Sequence, residues 1–529
     1  MTEMLHHWVT CEANRRCDAT AVVLGDERLS YGELELLSNQ LARALKERGC
    51  VRGDRICLLL PNSPLALVCL FGIYKADCVY VPLDPAAPAT ILAQAILAAG
   101  SRCLLAAASL APRVRELLSL PGVPPLRIGW LGSPDQSAGP LPVAFRFSDI
   151  GALPGIPLHG AHRAHDVAHI LFHPVAGGSL RGVTATHANV VGFVEWARRY
   201  FRLNETDRVA GHAALNQGLS LLDIFGSFSS GAELHLVPAE LHAVSNRLVG
   251  WIRASDITHW SSGSVVLSTL AKSDAVQPWD FPQLRRVLWN GEPLSTATLS
   301  YWMKQLPHVE FTNLYGSVEV AVAGAYHTVV SFPADEREQI PLGRACGDAE
   351  LLVLDHNLQP ASAGVVGDIY IRGTSLSPGY WHDAEATARA FPHIAGVGRA
   401  YRTGDRGLWG HDGLLYPAGR DGDCMQSDGR RIELGQIEAA LNSADAVSEC
   451  AVLALPDRGS DAVGCAYVPK TEEEITPDGL RAHLGRLVPE YMIPSRWRAW
   501  DELPKNAAGR IDRQRLKETW TRDGIDSAR

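Results

Sequence analysis

Hydrophobic and polar positions alternate along residues 29–135 in a rhythm typical of alternating helices and strands. Apolar residues recur at helical spacing through LSYGELELLSNQLARALKERG, which predicts an amphipathic helix that ends at Gly49. DRICLLLPN is a short apolar run closed by Pro61, as expected for a buried parallel strand. A second helical pattern, PLALVCLFGIYKADC, and a second strand, VYVPLDP, follow. This order predicts an α/β fold with a mostly parallel sheet.

The pattern changes near residue 420. GRDGDCMQSDGRRIELGQIEAAL is first rich in turn-forming residues and then becomes a charged helix, followed by a short strand, ECAVLALP, and a helix over about 476–488. We therefore predict a large domain over residues 1–419 and a small α+β domain over residues 420–529. The Gly-, Pro- and His-rich residues 149–166 predict a surface loop.

Composition and charge narrow the function classes. Hydrophobic residues make up 46% of the chain and charged residues 20%, and the formal net charge of −9 disfavours broad nucleic-acid binding. The N-terminus has no signal-peptide pattern, and the longest apolar stretches are too short to span a bilayer. The 11 cysteines occur singly without a CxxC pair, which favours neither a zinc site nor a disulfide framework. These features predict a cytoplasmic protein with buried thiols and with neither a nucleic-acid nor a membrane partner.

Eight motifs in a fixed order resemble the core motifs of the adenylation domains of nonribosomal peptide synthetases. This family belongs to the wider acyl-CoA synthetase and luciferase superfamily of adenylate-forming enzymes. The motifs are LSYGEL (29–34), YKADCVYVPLDP (74–85), NLYGSVE (313–319), GDIYIRG with SPGYW (367–381), YRTGD (401–405), GRRIELGQIE (429–438), PEYMIP (489–494) and GRIDR (509–513). The resemblance implies a large N-terminal adenylate-forming domain and a small, mobile C-terminal domain.

The same resemblance implies a reaction in two halves. A carboxylate attacks the α-phosphate of ATP, giving acyl-AMP and pyrophosphate, and the acyl group then passes to a phosphopantetheine thiol. ATP and Mg²⁺ are the implied cofactors. Glu319 matches the family's Mg²⁺-associated glutamate, and Asp405 matches the aspartate that holds the ribose hydroxyls. The other positions that match nucleotide contacts are Gly291, Asn313, Tyr315, Gly316 and Arg420.

The segment FHPVAGGSLRG (172–182) stands where the family has a phosphate loop of the type YTSGTTGxPKG. Gly177, Gly178, Ser179 and Gly182 retain the means to form a small nest of backbone N–H donors. Arg181 occupies the position of the loop's lysine. The lost hydroxyl residues remove several side-chain contacts to pyrophosphate.

Two positions of the small domain also differ from the family. Arg510, in GRIDR, stands in place of the catalytic lysine that reaches the α-phosphate and the substrate carboxylate. An arginine keeps the charge but carries a longer, planar fork, so the replacement is not conservative. Gly422 replaces the hinge aspartate, and glycine permits rotation there.

The substrate pocket implied by the resemblance is mostly apolar. Gly218 aligns with the aspartate that pairs with the α-ammonium of an amino acid, although Asn216 or Gln217 would substitute if the register shifts. An unpaired buried ammonium is costly, so the pocket predicts an acid without a free α-amino group. The alternative is core packing in a collapsed pocket. The remaining implied pocket residues are Leu219, Leu222, Ser261, Leu288, Asn290, Leu314, Val322 and Ala323.

Three functions remain open at this point. The first is a stand-alone adenylating enzyme for a carboxylic or amino acid in secondary-metabolite biosynthesis, such as that of peptide antibiotics. Only 16 residues follow GRIDR, so its carrier protein is expected to act in trans. The second is a catalytically impaired homologue that serves as a partner or scaffold in an assembly line, because Arg181, Gly218 and Arg510 replace functional residues of the family. The third is an acyl-CoA ligase, which would use CoA as the acceptor.

Overall fold

The computed structural model describes most of the chain. The described residues are 4–132, 141–158, 160–174, 179–241, 246–291, 293–333, 339–420, 424–427, 430–442, 444, 446–455, 462–470, 476–485, 487–488, 490–505 and 511–522.

The strands are numbered in chain order. They are β1 Thr20–Leu24, β2 Glu27–Ser30, β3 Arg55–Leu59, β4 Val79–Pro82, β5 Cys103–Ala107, β6 Arg127–Leu131, β7 Val143–Arg146, β8 Val167–Pro174, β9 Leu180–Thr186, β10 Arg208–Gly211, β11 Glu233–Leu236, β12 His259–Gly263, β13 Arg286–Asn290, β14 Glu310–Tyr315, β15 Ala325–Val329, β16 Arg344–Ala345, β17 Glu350–Leu354, β18 Gly367–Arg372, β19 His393–Ile394, β20 Gly398–Arg399, β21 Tyr401–Trp409, β22 Leu415–Arg420, β23 Cys424–Ser427, β24 Arg430–Glu433, β25 Val447–Leu455, β26 Ala462–Pro469 and β27 Arg496–Ala499.

The helices are numbered in the same way. They are α1 His7–Arg15, α2 Tyr31–Glu47, α3 Pro64–Lys75, α4 Ala89–Ala99, α5 Ala111–Ser119, α6 Phe147–Ile150, α7 His187–Phe201, α8 Leu219–Ser230, α9 Asn246–Ala254, α10 Ser264–Lys272, α11 Thr296–Gln305, α12 Ala384–Ala390, α13 Leu434–Asn442, α14 Pro477–Leu484 and α15 Arg513–Arg522. Single 3₁₀ turns lie at Ala108–Leu110, Ala239–Leu241, Val318–Val320 and Glu490–Met492.

Two large sheets dominate the structure. One has nine strands in the order β16-β15-β14-β13-β12-β10-β11-β1-β2, and the other has seven in the order β7-β6-β5-β3-β4-β8-β9. Their central strands pair in parallel, and antiparallel pairs occur toward the sheet edges. The predicted α/β fold with mostly parallel sheets is therefore confirmed.

The first predicted helices and strands form where the sequence places them. Ser30 and Glu33 make a capping box at the start of α2, and Gly49 follows this helix with a φ of 78°. Helix α3 begins with a serine cap and a proline, both favoured at a helix start. The two helices pack closely at Gly72, where an added Cβ would lie 2.8 Å from the Leu41 side chain. The absence of a side chain at Gly72 therefore permits this packing. The α2–β3–α3–β4 unit is thus confirmed.

A third sheet follows the two large ones. It is antiparallel, has the order β17-β18-β21-β22, and is formed by residues 350–420. Its last strand ends at Arg420, the residue at which we predict the division between the domains. The division itself stays a prediction.

The last part of the chain forms an α+β unit around the sheet β25-β26-β27. Helix α14 ends at Leu484, four residues before the predicted end, and the backbone N–H groups of Leu487 and Val488 both donate to the Leu484 carbonyl at 2.8 Å. Arg513 joins α15 to α13 through a bidentate pair with Glu438, with one N···O distance of 2.6 Å.

Polar contacts at Lys272 link this unit to the nine-stranded sheet region, and in one of them the Lys470 ammonium donates to the Lys272 backbone carbonyl at 3.5 Å. The Lys272 ammonium, at the end of α10, donates to the backbone carbonyls of Val447 and Ser448, both at 3.2 Å. Because the acceptors are main-chain atoms, the contact does not depend on the side chains of these two residues.

Cysteine placement agrees with the expectation of buried thiols. Eight of the ten cysteines with described side chains are buried, and only Cys11 and Cys17 are exposed. Across the described ranges, no helix combines the length and the apolarity needed to cross a bilayer.

Candidate functional site

Residues 315–319, which leave strand β14, contact the antiparallel third sheet and its loops through alternate side chains. The Tyr315 hydroxyl donates to Asp405 Oδ2 at 2.7 Å, and the Ser317 hydroxyl donates to the Tyr401 hydroxyl at 3.5 Å. The Tyr380 hydroxyl donates to Glu319 Oε1 at 3.1 Å. We call the residues Tyr315, Ser317, Glu319, Tyr380, Tyr401 and Asp405 the polar row. The polar row contains both Asp405, the predicted ribose ligand, and Glu319, the predicted metal ligand.

Glu319 is a buried carboxylate in the 3₁₀ turn after β14, with a residue exposure of 5%. Its neighbour Tyr380 stays a neutral hydrogen-bond donor, because burial and the Glu319 charge raise the pKa of the phenol. The backbone carbonyl of Glu319 accepts from the Ser377 N–H at 2.8 Å. These contacts fix the orientation of the carboxylate before any ligand arrives.

Arg181, in the predicted phosphate loop, contacts the polar row at Tyr380. Its guanidinium carbon lies 4.7 Å from the centre of the Tyr380 ring, and its Nε lies 3.8 Å from Asp383 Oδ2. The Nε atom is buried and has no hydrogen-bond partner among the described residues. Arg181 therefore holds a fixed positive charge close to Tyr380 and Glu319.

The predicted phosphate loop connects two antiparallel strands. In β8 and β9, His173 pairs with Arg181 and Pro174 pairs with Leu180. Ser179 is exposed where the described chain resumes. Gly177 and Gly178 lie outside the described residues, so the predicted nest stays a prediction.

An open cleft of about 230 Å³ begins at Arg181. Arg389 of α12 and Arg402, Thr403 and Gly404 of β21 also line it. Each of the three arginines has a carboxylate partner within 4.0 Å, so the positive potential of the cleft is partly compensated. The cleft extends from the Arg181 end of the site to the residues of β21 that directly precede Asp405.

Asp405 lies on β21 directly opposite Arg420 of β22. Its backbone N–H donates to the Thr403 hydroxyl at 3.1 Å. Burial, followed by the nearby Asp405 charge, raises the pKa of Tyr315 well above its usual value, so this phenol remains protonated. A carboxylate accepts about four hydrogen bonds, which leaves capacity beyond the Tyr315 bond.

The predicted adenine contacts lie at the ends of neighbouring strands. Asn313 of β14 donates from Nδ2 to the Pro341 carbonyl at 3.0 Å. Gly291 follows the end of β13 with a φ of 107°, and a Cβ built there would meet nothing within 4 Å. Open space beside this backbone suits the approach of a flat ligand.

Gly316 is needed because two backbone segments approach closely. A Cβ at this position would lie 2.6 Å from Ala323 Cα and 2.8 Å from the Gly324 nitrogen, and neither backbone atom moves easily. We expect Gly316→Ala to lower the free energy of unfolding by about 3 kcal/mol, measured by chemical denaturation.

Gly364→Ala is the control for this substitution. Gly364 also has a positive φ, 81°, but its Cβ would meet nothing within 4 Å. Its expected cost is about 1 kcal/mol, from backbone strain alone. Equal costs for the two variants would contradict the close-approach explanation.

The predicted pocket residues lie on both walls of one buried layer between helix α8 and the nine-stranded sheet. Leu222, Leu288, Leu314, Val322 and Ala323 belong to a single apolar cluster, with exposures of at most 3%. Leu219 packs against this cluster, Ser261 is buried, and Asn290 is half-buried. The structure therefore brings the predicted set together, whether as a binding pocket or as packed core.

Gly218 caps the N-terminus of α8. A Cβ at this position would lie 2.8 Å from Val318 Cγ1. Val318 thus fills the space into which a side chain at position 218 would begin to extend. An aspartate here would require the neighbouring segment to shift.

Sequence reasoning left some site residues without a role and assigned roles to others that lie outside the described residues. Tyr380 and Tyr401 stand in the motifs SPGYW and YRTGD, which was the available signal, but their partners are distant in sequence. Arg510 and Gly422 lie outside the described residues, as does the side chain of Arg420.

Family models match most of the chain. The model of the AMP-binding enzyme matches residues 9–381, and that of the AMP-binding enzyme C-terminal domain matches residues 436–510. Among curated proteins, the chain is similar to surfactin synthase subunit 1 of Bacillus subtilis (strain 168), with 30% identity over 94% of this chain and 13% of that protein. It is also similar to tyrocidine synthase 3 of Brevibacillus parabrevis, with 29% identity over 96% of this chain and 7% of that protein. The chain thus spans a small fraction of the length of these relatives.

Solved structures share the fold. An anthranilate CoA ligase in complex with anthranoyl-AMP superposes with a TM-score of 0.87, at 21% identity, covering 99% of each chain. An ATP-bound protein of Rhodopseudomonas palustris, MatB, superposes with a TM-score of 0.84, at 20% identity, covering 98% of this chain and 99% of that one. Klebsiella oxytoca NpsA in complex with 3-hydroxyanthranilyl-AMSN gives a TM-score of 0.80, at 21% identity, over 98% of this chain and all of that one.

Proposed function

This chain belongs to the AMP-binding enzyme family of adenylate-forming ligases, as a homologue of the adenylation domains of nonribosomal peptide synthetases, and on that premise we propose that it converts a carboxylic acid and ATP into acyl-AMP and pyrophosphate. The polar row carries this proposal, because it holds a candidate ribose ligand and a candidate metal ligand on one line. In the reaction, an oxygen of the acid attacks the α-phosphorus. The bond from that phosphorus to the bridging oxygen breaks, and pyrophosphate leaves.

Asp405 is proposed to bind the ribose. Its carboxylate accepts from Tyr315, and a carboxylate is a suitable acceptor for two vicinal hydroxyls. Hydrogen bonds to a charged acceptor contribute about 1.5–3 kcal/mol each. Gly291 and Asn313 stand at the ends of adjacent strands, where ligands of parallel sheets commonly bind, and are proposed to accommodate the adenine.

Glu319 is proposed to hold Mg²⁺. Among the described residues there is no cluster of three or more metal-ligating side chains. A single oriented carboxylate nevertheless fits Mg²⁺, which usually binds through one or two carboxylates together with substrate phosphates and water. The ion, when bound, would neutralise charge on the phosphates. The protein's own contribution is to orient the carboxylate through Tyr380 and to keep it largely buried.

Arg181 is proposed to contact the leaving pyrophosphate. A guanidinium pairs with phosphate oxygens through two parallel hydrogen bonds, and the buried Nε of Arg181 has no hydrogen-bond partner among the described residues, although Asp383 lies 3.8 Å away. Stacking on Tyr380 limits the freedom of this side chain before binding. Positive charge placed in advance at the phosphates favours the charge distribution of phosphoryl transfer. Arg510 is proposed to act at the α-phosphate on the basis of its motif alone.

The acceptor of the acyl group is proposed to be a phosphopantetheine thiol on a carrier protein. Homology to the peptide synthetases supports this choice, while the fold is shared with CoA ligases. In this second half-reaction the thiol sulfur attacks the acyl carbon, a thioester forms and AMP leaves. Assays with a carrier protein and with free CoA, run in parallel, distinguish the two acceptors.

An ATP–pyrophosphate exchange assay over a broad panel of acids tests the proposal. We expect acid-dependent exchange with at least one acid, together with a rise in melting temperature when ATP and Mg²⁺ are added. ATP binding without exchange for any acid would favour the impaired homologue that acts as a partner. If the folded protein shows no exchange and no thermal shift, both interpretations in which it binds a nucleotide are contradicted.

A further inference from the structure

Asp223 is a carboxylic acid buried in helix α8 without a regular hydrogen bond. Its exposure is 1%, and neither carboxyl oxygen has a hydrogen-bond partner of normal geometry among the described residues. Burial raises the pKa of this carboxyl to about 8. Near neutral pH the group therefore holds its proton in large part, and it can donate as well as accept a hydrogen bond.

The polar groups nearest to Asp223 are the Ser261 hydroxyl and the Ala213 backbone, which act to lower its pKa. Ser261 lies on β12 in register with Leu288 of β13. Leu288 faces the apolar layer that also contains Leu222 and Leu314. The carboxyl group therefore adjoins the layer formed by the predicted pocket residues.

A buried polar group without a partner is costly to the fold. The loss is typically about 1–3 kcal/mol, and an apolar side chain of similar size at the same position is often neutral or stabilising. A local conflict of this kind is expected where a ligand completes the hydrogen bonds. Ala213, whose backbone lies beside this carboxyl, follows the carboxyl end of the parallel strand β10 by two residues. Such strand ends commonly form binding crevices, which supports a ligand as the missing partner.

We propose that Asp223 and Ser261 select, among apolar carboxylic acids, those that carry a neutral hydrogen-bonding substituent, either a hydroxyl or an aromatic amine, away from the reacting carboxylate. This inference rests on the proposed function and specifies the substrate class of the same site. The apolar residues of the layer enclose the body of the acid. The carboxyl of Asp223 completes its hydrogen bonds with the substituent.

An α-ammonium group is a poorer match to this site. Position 218 carries no side chain, and its Cβ direction is blocked by Val318. An ammonium in the apolar layer would require Asp223 to lose its proton, which burial opposes. A neutral donor needs no such change of charge.

Binding of paired acids tests the inference without requiring chemistry. Calorimetry in the presence of α,β-methylene-ATP would measure the affinity for each acid. The aromatic set compares 3- and 4-hydroxybenzoate and 3- and 4-aminobenzoate with benzoate. The aliphatic pair compares 6-hydroxyhexanoate with hexanoate. We expect at least one substituted acid to bind at least tenfold more tightly than its parent, and phenylalanine to bind more weakly than that acid. Asp223→Leu should remove this preference, and Asp223→Asn, which keeps a donor and an acceptor, should retain most of it.

Two further variants separate selectivity from folding. Ser261→Ala removes the second polar group with a minimal change in volume and should weaken the preference. Ser230→Ala removes a buried hydroxyl whose hydrogen bonds to described residues lie within α8, and it should leave the preference unchanged. If Asp223 is merely structural, Asp223→Leu will change the melting temperature while the binding ratios stay the same, and this outcome overturns the inference.

Equal binding of substituted and parent acids by the wild type, or no binding of any of them, also overturns it. The exchange assay is read separately. Selective binding without exchange would refute the proposed reaction and leave the selectivity inference intact. Exchange with an acid that lacks such a substituent, together with equal binding of substituted and parent acids, would support the proposed reaction and refute the selectivity inference.

Discussion

Replacing Asp405 by alanine is expected to lower kcat/KM for ATP in the exchange assay by a factor of about a hundred to a thousand. Two hydrogen bonds from ribose hydroxyls to a charged acceptor are worth about 3–6 kcal/mol together, and part of this value is recovered by water in the variant. The substitution also leaves the buried Tyr315 hydroxyl without its acceptor. Calorimetry with ATP should show a parallel loss of affinity, because the contact is made in the ground state as well as in the transition state.

Two controls identify the source of this loss. Asp26→Ala removes an exposed carboxylate from the turn between β1 and β2 and should change neither constant. Tyr315→Phe removes the donor to Asp405 while the carboxylate remains, so a loss smaller than that of Asp405→Ala is expected. Unchanged ATP affinity in a folded Asp405→Ala protein would eliminate Asp405 as the ribose ligand.

Glu319→Gln is expected to lower kcat of adenylate formation about a hundredfold and to raise the Mg²⁺ concentration needed for half-maximal rate. The amide keeps the shape of the side chain and still accepts from Tyr380, but it loses the charge that a hard divalent cation requires. A metal that neutralises phosphate charge contributes several kcal/mol to the transition state. Titration of the rate with Mg²⁺ at saturating ATP measures both quantities.

Glu385→Gln is the matched control for this substitution. The Glu385 side chain is 83% exposed and, in the described part of the chain, pairs with Arg389 on the same helix face, so its loss should leave the Mg²⁺ dependence unchanged. A Glu319→Gln enzyme with the wild-type Mg²⁺ titration would show that Glu319 does not serve the metal.

The sequence predicted best those elements whose signals are local. Helices α2 and α3 carry caps, a periodic apolar face and a defined end, and strands β3 and β4 are short apolar runs, so each is recognisable within about 15 residues. The hairpin β23–β24 was not predicted, because GRDGDCMQSDGRRIE contains many turn-forming residues and little apolar alternation. The end of α14 was placed too late because its apolar pattern continues past Gly485.

In the site, too, the sequence predicted the local features but not the contacts between distant residues. Motifs identified which residues belong to it, and the structure places Asp405, Glu319 and Arg181 along one polar row and its extension. The contacts that join them pair residues 61 to 199 positions apart in the chain, and no local pattern encodes such partners. Asp223 illustrates the converse case, since a carboxylate in the sequence does not reveal whether the fold supplies it with a partner.

The bond between Lys272 and the backbone of β25 has a consequence for motion between the two regions that it joins. An ammonium that leaves two main-chain carbonyls for bulk water exchanges hydrogen bonds of similar strength, so separation at this point carries only a small enthalpic penalty. If the two regions separate here, the orientation that prevails is decided by whatever else they bind between them.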